Sequence, residues 1–215
     1  MVVRFKLLIL FILLLTASAC FGQDYEISTV FKGPRHKASG GYGAITNKFT
    51  EINGQYANMV EMYGGWYINH RFLLGIGGAA VTNNIQVPAE FATVPETDMS
   101  YAYAQFGLVT EYTLWSHRAV HLTFHAMNGP GVTAQYMRND WQEEDQWDED
   151  DNYPHDTNWF FVSEPGIKVE VNIFRWMRIS PGVSYRAAFG SSAKGLTDSK
   201  LSGTSLNVTM KFGKF

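Results

Sequence analysis

From residue 39 onward, apolar and polar positions alternate one for one along most of the chain. In Leu206–Phe212 the even positions are Leu, Asn207's neighbour Val208, Met210 and Phe212, while Asn207, Thr209 and Lys211 take the odd ones. Ile167, Val169, Val171 and Ile173 oppose Lys168, Glu170 and Asn172 in the same way. Ile179, Val183, Tyr185, Ala187 and Phe189 oppose Arg178, Ser180, Ser184 and Arg186. A period of two is the signature of a β-strand, whose successive side chains point to opposite faces. The pattern predicts eight strands, over Ser39–Phe49, Gln55–Ile68, Arg71–Val81, Met99–Trp115, Ala119–Arg138, Asn158–Ile173, Met177–Phe189 and Thr204–Phe215. The first is glycine-rich and poorly patterned. Gly129, Pro130 and Gly131 predict a bulge or kink in the fifth.

The connections sort by length. Asn53-Gly54 is a tight-turn dipeptide. After it, short turns at 69–70, 116–118 and 174–176 alternate with long connections at 82–98, 139–157 and 190–203. A soluble lipocalin-like barrel or sandwich has no reason to segregate loop lengths to its two ends. The charged residues give a second argument. Glu61, Glu111, Lys168, Glu170, Arg178, Arg186 and Lys211 all sit on the non-apolar face of their strands. A closed transmembrane barrel turns its apolar face to lipid and its polar face inward. Slipping one strand by a residue would place such a charge in lipid, at about 2–4 kcal/mol for a midplane Arg or Lys. Aromatics near the short turns (Trp66, Phe72, Trp115, Phe174, Trp176, Phe215) have the placement of an interfacial girdle.

Residues 1–22 read as a secretory signal: Arg4 and Lys6 are basic, Leu7–Leu15 is apolar, and Ala17, Ser18 and Ala19 are small. The apolar run is shorter than the roughly 20 residues of a spanning helix. Cleavage after Gly22 would leave Gln23 first; a lipoprotein peptidase would leave a lipidated Cys20 instead. Residues 23–38 form a polar lead-in, and 39–215 the barrel. Cys20 is the single cysteine, so the barrel has neither disulfides nor thiolate metal sites to rely on. Nine of the 20 acidic residues lie between Asp140 and Asp156 with no Lys or Arg among them. The remainder carries no basic stripe, so nucleic acid is not an expected partner.

The signal, the alternating loop lengths and a terminal strand ending at Phe215 resemble the small eight-stranded outer-membrane β-barrel proteins of Gram-negative bacteria, of the OmpX or OmpA-transmembrane-domain kind. The resemblance spans about Lys37 to Phe215. It implies an all-β, antiparallel up-and-down barrel in the outer membrane with both termini periplasmic. It also implies outer-membrane lipid around the barrel and the barrel-assembly machinery as a partner during biogenesis. One departure stands out: the positions two, four and six before Phe215 are Gly213, Lys211 and Thr209, whereas the apolar residues of that strand have the other parity.

Candidate chemistry is sparse. An eight-stranded barrel is just wide enough for side chains to fill, so the inward charges are expected to form a packed ionic core. A polar passage is the alternative. His121 and His125 share a face without a third ligand for a metal or an adjacent serine nucleophile, which favours interior polar positions. Gly40, Gly41 and Gly43 fit close packing at barrel closure rather than a phosphate loop. In the acidic connection, Glu143, Glu144, Asp145, Asp148, Glu149, Asp150 and Asp151 form a weak candidate site for a divalent cation or a surface partner. No cofactor is expected. The reading is an outer-membrane barrel with a structural or surface-interaction role and no catalysis; a narrow porin-like passage and a lipid-modifying enzyme are the alternatives.

Overall fold

A computed structural model describes residues 39–94, 98–137 and 156–215. The signal, the lead-in, and the acidic connection up to residue 155 lie outside the described residues, and with them Cys20 and the weak candidate cation site. The elements are β1 (Ser39–Ile52), β2 (Gln55–Ile68), β3 (Phe72–Val81), β4 (Ile85–Gln86), β5 (Met99–Leu114), β6 (Val120–Met137), β7 (Asn158–Phe174), β8 (Met177–Phe189) and β9 (Gly203–Lys214). β4 is a two-residue strand inside the 82–98 connection, which also carries a 3-10 turn at Ala89–Phe91. A single helical turn, Asp198–Leu201, lies in the 190–202 connection.

The other eight strands pair antiparallel in chain order, and pairing of β1 with β9 closes the ring. Closure removes every sheet edge, so each strand's backbone finds its partners inside the wall. β1 is three residues longer than its sequence suggested and alternates regularly. Tyr42, Ala44, Thr46, Lys48 and Thr50 are buried, and Gly41, Gly43, Ile45, Asn47 and Phe49 are exposed. Glycine on the outer face had hidden that pattern. Gly41 and Gly43 face Lys214 and Phe212 across the closure. A Cβ on Gly40 would sit 2.1 Å from the Lys214 carbonyl oxygen, so only glycine fits there.

The expected bulge at Gly129–Gly131 is absent. β6 keeps one register with β5 and with β7 through that stretch. Pro130 removes an N–H without adding a residue. The register shift falls instead at Asn172–Phe174, beside the turn to β8.

The faces are inverted relative to a soluble protein. Ile76 is 74% exposed, Leu206 65% and Met62 63%, while Lys211, Arg186 and Glu164 are fully buried. The lumen is filled in three tiers. Tyr42, Tyr67, Leu73 and Phe215 pack together at the short-turn end. Charged and amide side chains occupy the middle. At the long-connection end, Ile85, Val87, Leu196 and Leu201 from the connections pack on Met59, Tyr101, Tyr103 and Phe160 of the wall.

Phe215 does not join the outer girdle. Its ring lies 5.0 Å from that of Tyr42, inside the barrel mouth. Gly213 makes this turn: its φ is 156°, and a Cβ there would stand 2.4 Å from the Gly41 carbonyl oxygen. Trp66, Phe72, Trp115, Phe174 and Trp176 are exposed at that end. Tyr56, Trp159 and Phe189 are exposed toward the other.

Candidate functional site

The chemistry of the described residues is concentrated in the middle tier. Strand periodicity puts odd residues of β2, β5 and β9 and even residues of β1, β7 and β8 into the lumen, where charges from opposite walls meet. Glu111 on β5 is the hub. Lys211 Nζ donates to it at 2.6 Å and the Tyr63 hydroxyl at 2.7 Å; the Tyr42 hydroxyl also donates. His125 Nδ1 lies 3.0 Å from Glu111 Oε1, and Lys168 Nζ lies 3.7 Å from the same oxygen. Lys211 also pairs with Glu170. Glu170 further receives Arg178 at 3.1 Å and faces His121 Nε2 at 2.9 Å. The Arg178 guanidinium stacks 3.8 Å from the Phe215 ring centroid, joining the charged tier to the aromatic one.

A second centre lies toward the long connections. Lys48 Nζ bridges Glu164, at 2.7 Å, and Glu61. Ser184 Oγ donates to Glu164 at 2.7 Å and Gln105 Nε2 at 2.6 Å. The Tyr103 hydroxyl donates to Gln105 at 2.5 Å. Glu61 and His125 Nε2, 3.7 Å apart, link the two centres, although neither that nitrogen nor the Glu61 oxygens gains a hydrogen bond of good geometry.

Six of the seven charges picked out in the sequence therefore meet opposite charges. Arg186 does not. It is fully buried, yet it donates to the carbonyl oxygens of Leu201 at 2.6 Å and Glu51 at 2.9 Å, with Tyr103 beside it. Its level in the barrel explains this: it sits under the connections, whose backbone offers carbonyls rather than carboxylates. The sequence reading also missed Lys48 and Glu164, which complete the second centre. Lys48 was hidden by the glycines of β1. Glu164 shares the parity of Lys168 and Glu170, a signal that Pro165 interrupts. Tyr42 and Tyr63 read as apolar although their hydroxyls serve Glu111.

Such a tier can hold a barrel in one register. Charges removed from water need partners of good geometry, and these partners come from seven strands, so a slip in one would orphan several. It contains no solvated carboxylate and no nucleophile–histidine pair among the described residues, nor a group of three or more His, Cys, Asp or Glu suited to a metal.

A closed eight-stranded antiparallel barrel with an apolar exterior and an ionic interior has the fold of the small outer-membrane β-barrels. Among solved structures, the Neisserial surface protein A is similar over 82% of this chain and 97% of its own, with a TM-score of 0.56 at 9% identity. The attachment invasion locus protein Ail of Yersinia pestis matches over 84% of this chain and 100% of its own, with a TM-score of 0.43 at 9% identity. The outer membrane protein OprG of Pseudomonas aeruginosa matches over 83% and 95%, with a TM-score of 0.38 at 12% identity. No protein-family model and no curated protein matches the sequence.

Proposed function

We propose that this protein is an integral outer-membrane barrel with a structural or surface-interaction role and no catalysis, its short turns and both termini on the periplasmic side. The inversion of faces carries the reading. Among the described residues, 29 large apolar side chains are exposed, a surface that would aggregate in water and suits hydrocarbon. The short turns, the exposed aromatics and the barrel closure support the same reading. The filled lumen favours an anchor over a porin-like passage, because all three tiers would have to move to open a path. The connections at the other end, with the acidic segment 139–157, are the surface we assign to outside contact, with a divalent cation as its candidate ligand. The barrel-assembly machinery is the partner expected during biogenesis.

Membrane fractionation with heat-modifiable electrophoresis tests the placement. The protein should pellet with outer membranes and migrate faster unboiled than boiled. Recovery as a soluble species with no heat-dependent shift would overturn it. Protease added to intact cells should cut in the acidic segment; cutting from the periplasmic side alone would reverse the orientation.

A further inference from the structure

The outer wall is not evenly corrugated. The strand registers align two neighbouring rows of outward side chains. In one, Phe72 faces Tyr112, Tyr112 faces Phe124, Phe124 faces Ile167 and Ile167 faces Val183. In the other, Thr110 faces Ala126 and Ala126 faces Pro165. Large residues stand beside small ones, and a groove of about 660 Å³ runs along the step between them. It continues past Tyr185 to Thr204.

The groove starts at the short-turn rim, since Phe72 opens β3, and rises across the wall to Thr204 on β9. Five interstrand steps of about 4.8 Å give roughly 24 Å of length. With strands tilted about 40°, a row perpendicular to them climbs roughly 15 Å, half of a hydrocarbon core about 30 Å thick. A long, narrow, uncharged trough one leaflet tall fits a single extended hydrocarbon chain better than a compact ligand or a second barrel.

Its lower end has a distinct chemistry. Arg71 adjoins Phe72 and lines, with Tyr112 and Trp115, a smaller pocket of about 190 Å³ that shares Tyr112 with the groove. Arg118 stacks over the Trp115 ring at 5.9 Å. The short turns also expose His70, His117 and Arg175 and contain no Asp or Glu. This rim is complementary to an anionic headgroup at the level where a headgroup would lie.

We propose that the barrel binds a glycerophospholipid of the leaflet at its short-turn end, with the phosphate against Arg71 and Arg118 and one acyl chain along the Phe72–Tyr185 groove. The inference rests on the membrane placement above. The test is photocrosslinking of the full-length protein in vesicles containing phosphatidylglycerol with a diazirine on one acyl chain. Labels should concentrate on Tyr112, Phe124, Ala126, Ile167 and Tyr185. Ala126→Trp, which fills the trough from its outer face, should abolish that concentration. In native mass spectrometry of the detergent-extracted protein, Arg71→Ala and Arg118→Ala should each lower phosphatidylglycerol retention about fivefold, and phosphatidylethanolamine retention less, because its ammonium offsets the phosphate charge. Labels spread evenly around the barrel, or retention unchanged in the arginine variants, would overturn the proposal. So would lipopolysaccharide displacing the phospholipid from the groove. Each variant is first checked for the heat-dependent gel shift of a folded barrel. Loss of that shift in the parent protein would instead overturn the membrane reading itself.

Discussion

At the residue scale, the network divides into positions whose partners depend on them and positions that are weakly held. Glu111 answers to Lys211, Lys168, His125 and two tyrosines. Replacing it with leucine leaves two buried ammonium groups short of a partner, so Glu111→Leu should destabilise the barrel by about 3–5 kcal/mol, measured by urea unfolding in vesicles. Adding Lys168→Met to that variant should recover part of the loss, since the pair is coupled. Glu61 holds Lys48 without a well-formed hydrogen bond. Glu61→Gln should therefore cost clearly less than Glu111→Gln in the same assay; equal costs would contradict the partner assignment. Inward charges were legible from sequence because a full charge in an alternating strand has one tolerable side. Which charge meets which was not, since Lys211 and Glu111 are 100 residues apart in sequence and meet through barrel closure.

At the scale of elements, the strands differ in how completely they are stitched. β1 and β2 pair without a break from Ser39–Ile68 to Ile52–Gln55. The β7–β8 ladder lacks pairs opposite Pro165 and Pro181, where proline has no N–H to give. Amide exchange in vesicles should therefore be faster along the β7–β8 seam than along β1–β2. Pro165→Ala, which restores a donor, should slow it; indifference to that change would mean the gap arises elsewhere. The number and order of strands could be read from the alternation and the turn residues. The parity of β1 could not, because glycine carries no hydropathy signal on its outer face. The inward turn of Phe215 was also out of reach, although the parity mismatch along Lys211, Gly213 and Phe215 was visible and corresponds to it.

For the whole molecule, the three filled tiers predict electrical silence. The purified barrel in planar bilayers should show no steady conductance steps at moderate voltage, and regular open levels would show that a tier moves. Shortening a connection should be tolerated according to what its residues plug. Removing 82–98 or 190–202 strips Ile85, Val87, Leu196 and Leu201 from the lumen and should lower the unfolding midpoint.

Arg186 has a consequence of another kind. Its guanidinium holds the carbonyls of Glu51, at the end of β1, and of Leu201, in the 190–202 connection, and the Asn53 amide binds the Lys200 carbonyl alongside. The β1–β2 turn and the 190–202 connection thus present one composite shape, with its fastening hidden inside the wall. To an antibody, that shape is a discontinuous epitope fixed by a residue it never touches. Arg186→Met should leave the strands intact yet reduce binding of antibodies raised against the folded protein, while those raised against linear 190–202 peptides keep or gain affinity. Enzyme-linked binding to the parent protein and the Arg186→Met variant, reconstituted side by side, would show whether the fastening sets what the surface displays.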